Sequence, residues 1–181
     1  RKGKKWGLIQ AVSGNTIYLS RNFLYNSPKE VPSARVFPES QLQMVERLRE
    51  KYNVDLIESL DWYGFYLKAR DEKTQLWGMF MGEGEVISET PMQYDNIISH
   101  GRAEVYEVHK NGKVGYCNSQ FKLVKNTEFD DFQIVRLLRG YACVLQKNGF
   151  WQFYNCNDGK LLFEEKVKSL EEYDPGWLYK Y

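Results

Sequence analysis

A nine-residue segment recurs four times along this chain. The two clearest copies are residues 110–118 (KNGKVGYCN) and 147–155 (KNGFWQFYN), and related copies occupy residues 73–81 (KTQLWGMFM) and 2–10 (KGKKWGLIQ). Such a repeat constrains the fold strongly, because similar segments adopt similar local structure and one short unit cannot bury its apolar face alone. We therefore expect an array of similar units that stack on one another.

The spacing of two sets of glycines gives the length of one unit. In the first set, Gly78 and Gly115 lie 37 residues apart, and Gln152 occupies the same position after another 37 residues. Gly7 precedes Gly78 by 71 residues, so the first unit contains an insertion of about one further period. The second set, at steps of 37, 39 and 36 residues, comprises Gly64, Gly101, Gly140 and Gly176.

Each unit carries the pattern of an antiparallel meander of three strands. The first strand is an aromatic-rich run such as residues 65–69, the second contains the Trp-Gly pair, and the third is a run such as residues 85–88, 121–124 or 161–163. Asn-Gly pairs, as at residues 111–112, favour two-residue hairpin turns because both positions take positive φ. We predict an all-β fold, an array of about four three-stranded meander repeats of period 37 with one inserted amphipathic helix.

An acidic and apolar tetrad precedes each glycine of the second set. Clear copies begin at Tyr94 (YDNI) and Phe129 (FDDF), and weaker copies begin at Ile57 (IESL) and Val167 (VKSL). An Asp that recurs with a repeat favours a role in a turn over a role in a single active site, because Asp side chains bond to nearby backbone groups. We expect the Asp of the two clear tetrads to satisfy turns.

The predicted organisation is a single repeat domain over residues 1–181. Residues 1–56 form a divergent first unit, and three units follow over about residues 57–100, 101–139 and 140–176. The last residues, 177–181, resemble the start of a further unit, whereas the first residues resemble the middle of one. The array was therefore either cut from a longer one or closes on itself, which would remove two exposed strand edges.

The insertion in the first unit contains the predicted helix, over about residues 38–52. Apolar residues recur there at three- and four-residue steps, at Leu42, Val45, Leu48 and Tyr52. Pro38 suits the first turn of a helix, and polar residues fill the opposite side. We expect the apolar stripe to dock on the sheet of its own chain, and the alternative is that it binds a partner.

The Trp-Gly pairs are predicted to anchor neighbouring units to one another. A glycine inside a strand usually marks the close approach of another backbone or ring. The predicted anchors are Trp6, Gly7, Trp77, Gly78, Gly115 and Trp151. Since Gln152 replaces the glycine of its copy, we expect a looser or reshaped contact there.

These features resemble the WG-repeat (KWG-repeat) family, whose units combine a Gly-x-Ala-x-Val run, a basic-Asn-Gly turn, a Lys-Trp-Gly strand and a closing Tyr/Phe-Asp-x-Ile. Residues 101–116 follow that pattern well and residues 147–151 follow it in part, whereas Val114 replaces the Trp of one unit. The resemblance covers residues 1–10 and about 57–181. It implies a β-rich repeat scaffold, found mostly in bacteria, with binding roles and no common enzymatic activity.

Composition and the reactive residue types argue against several classes of function. A net charge of +1, from 25 basic and 24 acidic residues, argues against nucleic-acid binding. No run approaches the ~20 apolar residues of a membrane-spanning helix. The two histidines, His100 and His109, show no Cys or carboxylate partner in the sequence, and His109 is expected at an exposed strand end. We therefore predict no enzymatic activity, and a catalytic function would require a pocket where a histidine or cysteine meets carboxylates.

The three cysteines, Cys117, Cys143 and Cys156, lack the CxxC spacing of a structural zinc site. Two arrangements remain open for Cys143 and Cys156, which could face each other across a hairpin as a disulfide. Buried free thiols are the expected state. We predict no cofactor and no metal.

Exposed aromatic residues are the remaining candidates for a functional surface. Tyrosine and tryptophan suit protein partners and sugars because they combine a large apolar area with a polar group. The densest set comprises Trp62, Tyr63, Tyr66, Trp177, Tyr179 and Tyr181. Together with residues 21–52, which interrupt the repeat, this set is the predicted contact surface of a protein–protein interaction or scaffolding module. The alternative is a glycan or small ligand bound in an aromatic groove.

Overall fold

The computed structural model describes residues 9–12, 15–18, 39–61, 65–83, 85–137 and 140–170. These residues form one helix and thirteen antiparallel strands, of which eleven build three sheets and two form a separate hairpin. The hairpin pairs β1 (Ile9–Val12) with β2 (Asn15–Tyr18). The fold is therefore mostly β, as predicted. The chain divides into two compact units, Arg1–Gln93 and Tyr94–Tyr181, and the single domain stays a prediction.

The first unit combines the helix with a sheet of four antiparallel strands in sequence order. Its elements are α1 (Glu39–Lys51), β3 (Val54–Ser59), β4 (Tyr66–Asp71), β5 (Trp77–Glu83) and β6 (Glu85–Glu89). The helix agrees closely with the range predicted from the apolar spacing. The pairing of β5 with β6 contains a register shift at Ile87.

The apolar side chains described on α1 are buried against the sheet of the same unit, among them Val45 and Leu48 of the predicted stripe. Met44, Val45 and Leu48 lie in one cluster with residues of β3, β4 and β5, among them Leu67 and Phe80. Full burial of a side chain of this size contributes about 1.5–3 kcal/mol to folding. The expected docking is confirmed, so these three side chains do not form a partner-binding face.

The second unit contains two antiparallel sheets. The first comprises β7 (Asn96–His100), β8 (Val105–Lys110), β9 (Lys113–Asn118) and β10 (Leu123–Phe129). The second comprises β11 (Asp131–Arg136), β12 (Tyr141–Lys147) and β13 (Phe150–Asn155). One shared core includes Tyr116, Phe129, Phe132, Cys143, Leu145 and Tyr154. A second core, on the other face of β12 and β13, includes Ala142, Val144, Trp151 and Phe153.

The number of strands in a sheet differs from the prediction of three. Two of the three sheets have four strands and the third has three. In each sheet the chain around the acidic tetrad forms a strand before the aromatic-rich one, but in the third sheet the segment predicted as the last strand, residues 161–163, makes only an isolated bridge. These additional strands are β3, β7 and β11. The sequence pattern predicts a turn role for the Asp of the clear tetrads and no strand around them. The second residue of each clear tetrad, Asp95 or Asp130, does bind a turn, while the residues that follow it form a strand.

Both Asn-Gly pairs form the tight hairpin turns that the sequence predicts. Asn111 and Gly112 have φ values of 54° and 71°, and Asn148 and Gly149 have values of 55° and 79°. Positive φ at both central residues matches the right-handed twist of the flanking strands. These turns join β8 to β9 and β12 to β13.

The recurring Asp residues bind the backbone of these turns. A carboxylate oxygen of Asp95 accepts a hydrogen bond from Asn111 N at 2.6 Å, and one of Asp130 accepts from Asn148 N at 2.9 Å. Lys113 Nζ also contacts Asp130. The prediction that these Asp residues satisfy turns is confirmed.

The strand glycines lie where another backbone approaches closely. A Cβ atom added to Gly78 would lie 2.9 Å from Thr90 O, and one added to Gly115 would lie 2.6 Å from Asn126 C. Real Cβ atoms essentially never come closer than 3.0 Å to such atoms. The expected close approach is confirmed at both positions. The backbone that approaches Gly78 is at Thr90, directly after β6, and the backbone that approaches Gly115 is at Asn126 in β10.

Candidate functional site

Only one member of the predicted aromatic contact set lies in the described part of the chain. Tyr66 is half-buried at the start of β4, and its backbone N–H donates to Asp61 Oδ1 at 3.2 Å. The residues outside the described ranges are Trp62, Tyr63, Trp177, Tyr179 and Tyr181. Their role in partner contact therefore stays a prediction.

The predicted anchors differ in what the structure describes of them. Trp6 and Gly7 lie outside the described residues, whereas Trp77 and Trp151 are both buried. Lys68 Nζ lies 4.5 Å from the centre of a Trp77 ring, which is within cation–π range. That these tryptophans join one repeat to the next stays a prediction.

A layer of paired charges surrounds Trp77 on the sheet face opposite α1. The guanidinium of Arg70 binds both carboxylate oxygens of Asp55, at 3.0 and 2.7 Å, and Lys68 binds Glu58 at 3.0 Å. Asp55 is only 3% exposed, so its charge depends on this bidentate contact. Because each of these carboxylates already holds a cation, we interpret the layer as structural.

The edge of α1 is tied to strand β6 by charged side chains. Arg47 pairs with Glu85 at 3.0 Å, and Lys51 pairs with Glu89 at 3.3 Å. The hydroxyl of Tyr52 donates to the same Glu89 carboxylate at 2.5 Å. Hydrogen bonding of the Lys51 ammonium with Tyr52 and with the Glu89 carboxylate raises the pKa of Lys51, and burial together with Glu89 raises the pKa of Tyr52. These contacts hold β6 against the helix.

Between these ion pairs, Ile87 extends into solvent. The register passes from Met81 opposite Ser88 to Gly82 opposite Val86, which leaves Ile87 as the extra residue of a bulge. Bulges redirect side chains out of the regular alternation of a strand. Ile87 is 74% exposed, the largest value among the exposed large apolar residues of the described chain.

Two histidines contact one buried carboxylate on the sheet of β7 to β10. His100 Nε2 lies 2.8 Å from Glu107 Oε2, and His109 Nε2 lies 2.7 Å from Glu107 Oε1. Glu107 is 8% exposed, and the His100 ring also packs against Phe132 at 5.2 Å. His109 Nε2 is buried and comes close to Glu107 without hydrogen-bond geometry.

This cluster corrects the expectations for both histidines. Neither lacks a carboxylate, and His109 is half-buried rather than exposed at a strand end. The signal was partly visible, because Glu107 and His109 are two residues apart and share a face of one strand. His100 joins them because it pairs with Val105 in the register of β7 and β8, which the sequence did not reveal. Within the described residues, no group of three or more His, Cys, Asp or Glu residues could hold a metal ion.

The cysteines are free thiols, as expected, and two of them face each other. Cys143 Sγ and Cys156 Sγ lie 3.2 Å apart, and all three cysteines are buried. Burial raises the pKa of Cys117 to about 11 and raises that of Cys143 further. A hydrogen bond from Cys143 lowers the pKa of Cys156.

Comparison with known proteins adds no assignment to this geometry. No protein-family model matches the chain, and no curated protein or solved structure is similar enough to count as a match. Among the described residues, no helix is both long and apolar enough to cross a membrane.

Proposed function

We propose that this chain is a non-catalytic module that binds another protein through the surface of its β-repeat array. The observation that supports the proposal most is the contrast between charged and apolar side chains. The carboxylates Asp55, Asp95, Glu107 and Asp130 are all engaged in structural contacts, whereas several large apolar side chains on strands extend into solvent. Apolar anchors beside charged neighbours are typical of protein interfaces.

The surface we favour is β6, an edge strand of the four-stranded sheet in the first unit. Ile87 is its exposed apolar residue, and Glu85 and Glu89 on either side are held by the ion pairs to α1. No strand of the described residues pairs with the free edge of β6. An open edge beside an apolar side chain suits an extended segment of a partner, which would add main-chain hydrogen bonds and cover Ile87.

The repeat organisation is part of the same proposal. We infer WG-like repeats with a period of about 37 residues, since the three sheets share an antiparallel order and two of them share the Asn-Gly turn and its Asp. Repeat arrays commonly present extended binding surfaces, because stacked units expose equivalent positions along one face.

The experiment compares capture of proteins from a source-cell lysate by three forms of the chain. These are the natural protein, Ile87→Lys, and the control Leu161→Lys, which changes another exposed apolar residue. Circular dichroism should show the same folded spectrum for all three, because both side chains lie in solvent. We expect one captured protein, cross-linked near β6, that Ile87→Lys loses and Leu161→Lys retains.

Two results would contradict this proposal. Capture of the same protein by all three forms would exclude β6 as the surface, and capture of nothing would argue against a protein partner. Specific binding on a glycan array would instead support the alternative, a glycan or small ligand held by the aromatic residues.

A further inference from the structure

Two cysteines in the second unit, Cys143 and Cys156, are placed so that their thiols could form a disulfide bond. Cys143 lies in the middle of β12, and Cys156 follows directly after β13. In the register, Cys143 is opposite Tyr154, so Cys156 lies diagonally across the hairpin from it. Despite this diagonal placement, the two sulfur atoms are only 3.2 Å apart.

The two cysteine residues differ in their burial. Cys143 is fully buried, whereas Cys156 is 7% exposed and borders a turn whose next residues, Asn157 and Asp158, are exposed. Cys156 Sγ also lies 3.3 Å from Tyr141 O. A small reagent that enters beside the turn would therefore meet Cys156 first.

We propose that Cys143 and Cys156 form a reversible oxidation site that hydroperoxides convert into an intramolecular disulfide. The thiolate of Cys156 attacks the terminal peroxide oxygen and breaks the O–O bond, which yields a sulfenic acid and, after protonation of the leaving oxygen, water or an alcohol. The Cys143 sulfur then attacks the sulfenic sulfur and loses its proton, while the hydroxyl group leaves as water. Two thiols and one hydroperoxide thus give one disulfide, with the peroxide reduced.

The surroundings of each sulfur fit this order of events. The hydrogen bond from Cys143 lowers the pKa of Cys156, which favours the thiolate at the less buried of the two residues. Burial raises the pKa of Cys143, which keeps that thiol protonated until the first step removes the neighbouring negative charge. Closure requires the sulfur atoms to move from 3.2 Å to a bond of about 2.05 Å, a small displacement at the end of a hairpin.

The third cysteine provides an internal control. Cys117 is also fully buried in the same unit, and burial raises its pKa to about 11. Because it follows Tyr116 in β9, its side chain lies on the opposite face from Tyr116, whose ring is in the core that contains Cys143 and Cys156. A site defined by the pair should therefore spare Cys117.

The test treats the reduced full chain with hydrogen peroxide and counts free thiols by alkylation in denaturant. We expect the count to fall from three to one, the intact mass to lose two hydrogen atoms, and dithiothreitol to restore all three thiols. Trypsin cuts after Lys147 and so releases the two cysteines on separate peptides. These peptides, residues 140–147 and 148–160, should be recovered joined to each other.

Two variants keep the result interpretable. Cys117→Ser should form the disulfide as the natural chain does, whereas Cys143→Ser should stop at a sulfenic acid on Cys156 that dimedone traps. Three free thiols after treatment, or a disulfide that includes Cys117, would overturn the proposal. Addition of oxygen to Cys156 in the natural chain without a joined peptide would also overturn it.

Discussion

The two sheets of the second unit begin alike and end differently. In the first sheet, β10 runs beside β9 as a fourth strand of seven residues. In the second sheet, the chain after β13 returns to that strand only at two isolated bridges, Trp151 with Val167 and Tyr154 with Leu161. The segment after the hairpin therefore forms a strand in one sheet, paired with two register shifts, and makes only two isolated bridges in the other.

We attribute this difference to one side chain. Gly115 occupies the crossing point in β9, where any Cβ would lie 2.6 Å from Asn126 C. Gln152 occupies the corresponding point in β13, and its Oε1 accepts a hydrogen bond from the Tyr154 hydroxyl at 3.2 Å. The closing segment cannot lie flat over a side chain of this size. We infer that the residue at this position sets whether a sheet gains its fourth strand.

The largest effect is expected from removing two tryptophans, Trp151 before Gln152 and Trp77 before Gly78. Trp151 is buried in the second core of its unit and exchanges backbone hydrogen bonds with Val167, while Trp77 is buried in the first unit. Trp151→Ala and Trp77→Ala should each lower the free energy of unfolding by about 3–5 kcal/mol, measured by urea denaturation. Phe150→Ala is the control, because that aromatic side chain is exposed. A near-neutral result for either tryptophan would show that it is not an anchor.

The second largest loss of stability is expected when Gly115 of β9 is replaced by glutamine, the residue found at the corresponding position of β13. Gly115→Gln would force its Cβ against the backbone at Asn126, and overpacking of this kind costs about 1–3 kcal/mol. Urea denaturation should show that loss, and amide exchange in β10 should accelerate. Gly101→Gln is the matched control, since no atom lies within 4 Å of a Cβ at Gly101. Equal stabilities for the two variants would show that the close approach of β10 to Gly115 does not limit the size of that residue.

The reverse exchange tests the same idea with a smaller change in stability. Gln152→Gly removes the obstacle but adds a flexible residue to a strand, which itself costs about 0.5–1 kcal/mol. We therefore expect little net change in unfolding free energy. The informative measurement is hydrogen exchange of residues 163–166, which lie between Leu162, whose amide already donates to Phe153 O, and the bridge at Val167. The amides of residues 163–166 should become protected as the two bridges join. Unchanged exchange there would show that Gln152 does not hold the segment away.

Local sequence signals predicted the turns, the helix and the glycine contacts of these sheets. The Asn-Gly turns, the Asp side chains that bind them, the helix and the close approach at Gly78 and Gly115 all depend on short-range geometry, and all are found. Each of these features needs only a residue type and its immediate neighbours in the chain. That is why they could be predicted before the pairing of the strands was known.

Features that depend on register between strands were not predictable in the same way. The contact of His100 with Glu107 requires the pairing of β7 with β8, and the additional first strand of each sheet has too short a pattern to stand out. Cys143 and Cys156 are an intermediate case, because one hairpin separates them and the length of its turn sets Cys143 opposite Tyr154, two residues from Cys156. The aromatic surface stays a prediction, since only Tyr66 of that set is described.

The smallest effect is expected from the Asp that binds the turn between β12 and β13. Hydrogen bonds from Lys113 and from Asn148 N lower the pKa of Asp130 below its ordinary value of 3.8. A carboxyl with a lowered pKa in the folded chain adds stability above its unfolded pKa, and loses that contribution as pH falls through the folded pKa. Urea midpoints should therefore fall on acidification below 3.8, and Asp130→Asn should make that fall shallower.

Lys113→Met separates the causes of this pH dependence. It removes the ammonium that lowers the pKa of Asp130 most, but it leaves the hydrogen bond from Asn148 N in place. The fall on acidification should then be intermediate between the natural chain and Asp130→Asn. If Lys113→Met behaved as the natural chain does, the Lys113 contact would carry no stability, and the turn alone would account for the role of Asp130. Because Lys113 begins β9 and Asp130 precedes β11, that contact joins the two sheets whose ends differ.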